Sequence, residues 1–341
     1  MEAILEKSKK LTGSKAMIQA LDQEMSKNKD IFIMGEDVGQ YGGIFGSTTG
    51  LFDKFGAERV MDTPISETGF IGAAVGAAAE GLRPVVELMF VDFHGVVMDQ
   101  IYNHIAKIHY MSGGAVKLPI VMLTAVGGGY SDAAQHSQTL YASFGHLPGL
   151  KVVAPTFPED IKGMLISALR DDNPVIFMFH KTLQGLGWMD QIDASIGDVP
   201  ENAYTIPLNK AKVVRKGNDI TIVGVQMMTI EALKAAEELA KQGIDAEVID
   251  LRSIKPIDKE TILQSVQKTH RLVVVDEDYY SYGITAEVGA IVASEGFHFL
   301  DSPIVRLALP DVPIPYSRVL EKFVIPNSKS IIESVIKVFA D

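Results

Sequence analysis

Three short stretches carry residue types that could do chemistry. In DTPISETGF (62–70) one carboxylate, Glu67, stands between a proline turn and a run of small residues, GFIGAAVGAAAEG. A glutamate there is either a favourable charge at a helix start or a working acid, while Gly69, Gly72 and Gly76 would let the helix pack close to a neighbour. In ELMFVDFHGVVMDQ, Phe90 and Phe93 fall where a strand hands over to a helix. Ligands of open α/β sheets bind at such carboxyl ends, so these rings are either core or a stacking surface. In GGGYSDAAQHSQTLYASFGH, three glycines and a polar loop present His136. A histidine in a loop after a strand is a candidate acid–base group, with a structural role as the alternative.

Self-contained catalytic motifs are missing. No G-x-G-x-x-G follows a strand, and no G-x-x-x-x-G-K-[ST], H-E-x-x-H or G-x-S-x-G occurs. His104 and His109 are five apart, which does not place them on one helix face. The functional groups must therefore be dispersed along the chain or completed by a partner.

The elements that must position them alternate. Apolar runs at 31–37, 84–90, 118–126, 150–155 and 174–180 read as buried strands, separated by helical patterns. One long amphipathic helix is expected over VVMDQIYNHIAKIHYM, and another over TFPEDIKGMLISALRDDN, with a capping box from Thr156 to Glu159 and proline in its first turn. A polar, turn-rich stretch follows. Alternation then resumes from DITIVGVQ to a last helix, SKSIIESVIKVFA. The pattern predicts an α/β protein of two doubly wound domains: residues 1–182, a linker at 183–218, and a smaller domain at 219–341. With 341 residues and 47% hydrophobic content there is material for two cores. A net charge of −12 without a basic cluster argues against a nucleic-acid partner. There is no cysteine, hence no disulfide framework or thiolate zinc site. No apolar run has membrane-spanning length, and the N-terminus lacks a signal-peptide core; a cytoplasmic protein is expected.

Taken together, GEDVGQYGGIFGSTTGL, DTPISETGFIGAAVGAA, MDQIYNHIAKIHYMSGG, AAQHSQ, PGLKVVAP, IKGMLISALRDDNPV and AEVIDLRSIKPID resemble one family in order and spacing over nearly the whole chain. That family is the β subunit of the thiamine-diphosphate-dependent decarboxylase of 2-oxo acid dehydrogenase complexes. PISE, YMSGG and AAQHSQ are similar to its pyruvate and acetoin members. The resemblance implies a pyrimidine-binding domain followed by a transketolase-type C-terminal domain. It also implies that Glu67 bonds a ring nitrogen of the cofactor's aminopyrimidine and so activates the cofactor's own base. Phe93 would stack on that ring, Ile65 would line its pocket, and His136 would serve the acyl-transfer step. Ile120, Ala168, Leu169, Asp171 and Asn173 would hold a structural potassium ion, the two helix-end carbonyls being unsatisfied and electronegative.

Thiamine enzymes carry a Gly-Asp-Gly motif, followed by an asparagine, for magnesium and the diphosphate. This chain has no Gly-Asp-Gly, and in two-chain members the motif sits on the α subunit. The resemblance thus implies an α2β2 heterotetramer with the cofactor shared between chains. The C-terminal domain would pair with a second β chain and dock, through Asp301, on a lipoyl acyltransferase core. A branched-chain 2-oxo acid enzyme, a non-catalytic docking subunit and a single-chain transketolase-like synthase are the alternatives. Two features depart from the family pattern: the loop TAVGGGYSD, and His180, where relatives often carry an acidic or other polar residue.

Overall fold

The computed structural model describes residues 7–190 and 192–340. It divides into two units. One comprises residues up to Val126 together with Phe144–Leu208; the other comprises Gly127–Ser143 and the residues from Asn209 onward.

In the first unit six parallel strands run in the order Lys151–Val153, Val175–His180, Val121–Val126, Arg83–Phe90, Ile31–Gly35, Val60–Asp62. Helices cover such sheets on both faces, so their strands read as continuous apolar runs; all six residues of Val121–Val126 are buried. Helix Gly13–Lys27 begins where Thr12 accepts from the Lys15 amide at 3.3 Å and buries Ala16, Met17, Ala20 and Leu21. Its buried Glu24 takes a two-pronged bond from Arg170, at 2.8 and 2.7 Å, on helix Pro158–Arg170. Two charged groups are thus satisfied by each other between two packed helices. Helix Glu67–Ala79 buries Phe70, Ile71, Ala74, Val75 and Ala78 and exposes Gly69, Ala73, Gly76 and Ala79.

The second unit places Val305–Leu309, Leu272–Tyr279, Ile220–Gly224 and Ala246–Asp250 side by side in parallel. Lys212–Arg215 adds an antiparallel edge. Helices Met227–Ala240, Lys259–Thr269, Ile284–Glu295 and Ser328–Ala340 accompany it. Asp258 caps Lys259–Thr269 by accepting from the Thr261 amide and hydroxyl at 3.3 and 2.7 Å.

Several expectations need correction. The stretch expected as a linker belongs largely to the first unit: Ile196–Pro200 pairs antiparallel with Ser8–Thr12, and the buried Lys162 ammonium donates to the carbonyls of Pro200, Glu201 and Asn202. The single long helix expected over VVMDQIYNHIAKIHYM (96–111) is broken up: a 3-10 stretch, Val91–Val97, runs into its start, and a π turn at Gln100–Ile105 and a short helix at Ile108–Met111 follow. Gly95 and the β-branched Val91, Val96 and Val97 disfavour an α start. The capping box is absent: Phe157 is the cap residue, and the buried Thr156 hydroxyl finds no partner. Pro158 does stand in the first turn.

Candidate active site

Parallel strands put their carboxyl ends on one edge, so the segments following neighbouring strands meet there. Three adjacent strands of the first unit end at Phe90, Gly35 and Asp62. Phe93, Glu36 and the turn leading to Glu67 therefore come from one edge. Glu67 is the first residue of its helix and is half-buried. The preceding Ser66 makes no side-chain cap, and Ile65 is 84% exposed.

Glu36 was not singled out in the sequence. Burial raises its carboxyl above the usual range, and the charges of Glu67 and then Asp37 raise it further. One of its oxygens is buried without a hydrogen-bond partner. A negative charge within Coulombic reach favours the protonated form of Glu36. The signal available beforehand was position alone: an acid immediately after a buried strand.

The glycine-rich segment after Glu36 is fastened from below. Asp62 accepts from the Gly39 amide at 2.6 Å, and a Cβ at Gly39 would collide with the Asp62 carboxylate and displace it. Thr48 donates to the Val38 carbonyl at 2.7 Å. The Ser47 hydroxyl donates to Glu87, which is fully buried in strand Arg83–Phe90. Burial pushes the Glu87 carboxyl up to about 7, against the lowering effect of the Ser47 bond.

Phe93 is buttressed by aromatic neighbours. Phe90 meets it edge-on at 5.8 Å, and Phe45 meets Phe90 at 5.5 Å. Both arrangements are the favoured T-shape. Gly69, Gly72 and Gly76 are not needed for packing within the described residues. A Cβ at Gly76 would meet nothing within 4 Å, and one at Gly72 would reach only Gln100 at 3.9 Å.

His136 lies in the second unit, half-buried in Gly127–Ser143. His180 is the last residue of strand Val175–His180 and caps the turn that follows: its Nδ1 accepts from the Thr182 amide at 3.3 Å, and its carbonyl accepts from Gln184 at 2.9 Å. Asp301 is exposed, its amide bonded to the His270 carbonyl at 2.9 Å.

The residues assigned to potassium gather near the end of helix Pro158–Arg170, but their carbonyls are not unsatisfied. Ile120 O accepts from the Val175 amide at 2.9 Å and Ala168 O from the Asp171 amide at 3.2 Å. Leu169 O accepts from Arg83 Nε at 3.1 Å, and Asp171 O from the same guanidinium. Burial tends to raise the Asp171 carboxyl; bonds from Lys151 and Asn173 outweigh it and hold the group below the usual range.

A family model described as transketolase, pyrimidine binding domain, matches residues 9–185, and one described as transketolase, C-terminal domain, matches residues 209–331. The fold has a solved counterpart in a split-gene transketolase, an inactive β4 tetramer. It aligns with a TM-score of 0.76 and 24% identity, over 97% of this chain and 98% of that one. Among curated proteins, acetoin:2,6-dichlorophenolindophenol oxidoreductase subunit beta of Cupriavidus necator is 46% identical over 334 residues, 95% of this chain and 96% of that protein. Pyruvate dehydrogenase E1 component subunit beta of Rickettsia felis is 46% identical over 328 residues, 96% and 98% of the two chains. The Bacillus subtilis acetoin counterpart is 42% identical, covering 97% and 98%. The chain belongs to the family of pyruvate and acetoin dehydrogenase β subunits, built from a transketolase pyrimidine-binding and a transketolase C-terminal domain. Among the described residues no helix is long and apolar enough to cross a membrane, and no group of three or more His, Cys, Asp or Glu side chains could hold a metal ion.

Proposed function

We propose that this chain supplies the pyrimidine half of a thiamine-diphosphate site and works with an α subunit, as an α2β2 heterotetramer, on pyruvate or acetoin. The observation that carries the reading is Glu67 with Glu36 beside it, on the edge that also bears Phe93 and the outward Ile65. A carboxylate, an aromatic face and an aliphatic side chain are the groups an aminopyrimidine needs. The diphosphate and its magnesium need acidic and amide ligands that a Gly-Asp-Gly motif would bring, and they fall to the α subunit.

When bound, thiamine diphosphate supplies the carbanion that attacks a carbonyl and the electron sink that takes the pair left by C–C cleavage. Glu67 would hold the proton shared with the pyrimidine nitrogen, and its charge favours the protonated form of Glu36 beside it. Phe93, fixed by Phe90, offers the ring surface, and Ile65 closes the apolar side. His136 donates or holds a proton as the two-carbon unit passes to a lipoyl disulfide, which is reduced as that unit is oxidised. Each carbonyl near Asp171 retains a second lone pair, so Ile120, Ala168, Leu169, Asp171 and Asn173 fit a structural potassium ion through backbone oxygens. The exposed Asp301 suits a contact with the acyltransferase core, and the C-terminal unit a contact with a second β chain.

The test is co-expression with the α subunit and assay of pyruvate, acetoin and a branched-chain 2-oxo acid with thiamine diphosphate and magnesium. Turnover of pyruvate or acetoin by the mixed complex alone is the expected result. Turnover by this chain alone, or a preference for the branched acid, would refute the division of labour or the substrate assignment respectively.

A further inference from the structure

The loop Gly127–Ser143 is held in a conformation it would rarely adopt by itself. Three non-glycine residues, Ser131, Ala133 and Leu140, have φ of 66°, 63° and 52°, in the left-handed region that costs ordinary residues energy. Such a backbone persists only where its surroundings fix it. Here the surroundings are carboxylates. Glu321 accepts from the Gly129 amide at 2.9 Å, the Ser131 amide at 3.0 Å and the Ser131 hydroxyl at 3.3 Å. Glu277 accepts from the Gly128 amide at 2.8 Å. At the other end, Asp278 accepts from the amides of Leu140, Tyr141 and Ala142. Tyr279 donates to the Gln138 side chain at 3.3 Å. His136 sits between the two fastened ends.

Glu321 is the singular member. It is wholly buried, whereas Val319, Leu320 and Phe323 on the same short helix, Arg318–Val324, are exposed. A helix that turns its acid inward and its apolar residues outward reverses the pattern burial favours. The reversal is not explained by helix capping, since the carboxylate oxygens bond the loop. Burying a charge without donors is costly, and here the donors come from residues 129 and 131.

We propose that Glu321 is a positioning residue that, with Glu277 and Asp278, fixes the strained loop so that His136 is presented for acyl transfer. The inference rests on the reading of His136 given above. The test uses the assembled complex with Glu321→Gln, Glu321→Ala, His136→Ala and the double variant Glu321→Ala/His136→Ala. Glu321→Ala is expected to slow lipoyl-dependent acyl transfer by roughly 10- to 100-fold, within what a displaced proton-transfer group loses. Decarboxylation read with an artificial electron acceptor, and half-saturation by thiamine diphosphate, should stay within about twofold, because a group acting only through His136 leaves the preceding chemistry alone. Exchange of the Gly129 and Ser131 amides with solvent should quicken by about tenfold or more. Glu321→Gln, which keeps one acceptor and the shape, should fall between, and it serves if the alanine variant does not fold. The double variant should lose no more than His136→Ala alone.

Unchanged amide exchange in both single Glu321 variants would overturn the clamp. Faster exchange with normal acyl transfer would overturn the positioning role, as would an equal loss in the artificial-acceptor assay. If His136→Ala is itself silent, the assignment of His136 fails and the positioning role with it, while amide exchange still reports whether the loop is clamped.

Discussion

The start of helix Glu67–Ala79 and the loop Gly127–Ser143 both present a candidate acid–base residue, and they are built in opposite ways. Around Glu67 the chain leaves surface open. Ile65 points outward, Ser66 gives no cap, one oxygen of Glu36 lacks a donor, and the glycine face of the helix touches almost nothing. Around His136 the chain closes on itself: three buried carboxylates take the loop amides at both ends. An open region suits groups that another molecule must complete; a fastened one suits a group that must already be in place when the second substrate arrives.

The sharpest break of that contrast is at Glu67. Glu67→Gln in the assembled enzyme should lower turnover by about 10³-fold, the middle of the range for a lost acid–base group. Unlike Glu321→Ala, it should do so equally in the artificial-acceptor and lipoyl-dependent assays. Exchange of the cofactor's thiazolium proton should slow in parallel; a near-normal exchange rate would remove Glu67 from activation.

Beneath the open region lies Glu87, whose carboxyl is raised by burial to about 7 from an ordinary 4.5. The folded state thus binds its proton more tightly than the unfolded state. The stability this gives is fully present below pH 4.5 and is lost as the pH rises through 7. Denaturant unfolding should show a decline of about 3 kcal/mol between pH 5 and 8 from this group, and Glu87→Gln should flatten it. A pH dependence unaltered by the substitution would mean that Glu87 is not the group titrating.

The smallest effect concerns the glycine face. Gly76 is exposed in mid-helix, and a methyl group added there would meet nothing within 4 Å. Gly76→Ala should stabilise the free chain by up to about 1 kcal/mol through helix propensity and weaken assembly with the α subunit. Thermal unfolding of the free chain and sedimentation of the mixture would separate the two. Stabilisation with unchanged assembly would show that this face stays open in the complex.

The long buried strands and the order of the two domains were legible because such strands write themselves as unbroken apolar runs, as in IFIMG and VMLTAV; the short Val60–Asp62 and the paired Ser8–Thr12 and Ile196–Pro200 carry no such run and were not. Glu67 and His136 stand out as candidates because each lies beside a conspicuous glycine-rich segment. The groups that complete their surroundings do not. Glu321 bonds a loop 190 and 192 residues away in sequence, and in SRVLEKF it reads as the solvent face of an ordinary helix. Glu36 merges with the polar end of a strand. The Thr156 capping box had the right residue types one position from the true helix start, where Phe157 serves. Local pattern cannot tell which of two adjacent residues turns outward.

The second unit is assembled from two separated pieces of chain, Gly127–Ser143 and the residues from Asn209 onward. A gene fragment beginning near codon 209 would therefore encode a module missing its own interior strap, with the carboxylates of Glu277, Asp278 and Glu321 stripped of their amide donors. Recombination with a related gene at that natural-looking boundary would join a strap from one parent to acids from the other. Chimeras should tolerate such a crossover only when both parents agree at these contacts, so the inheritable block is defined by a hydrogen-bond pattern and not by a stretch of sequence.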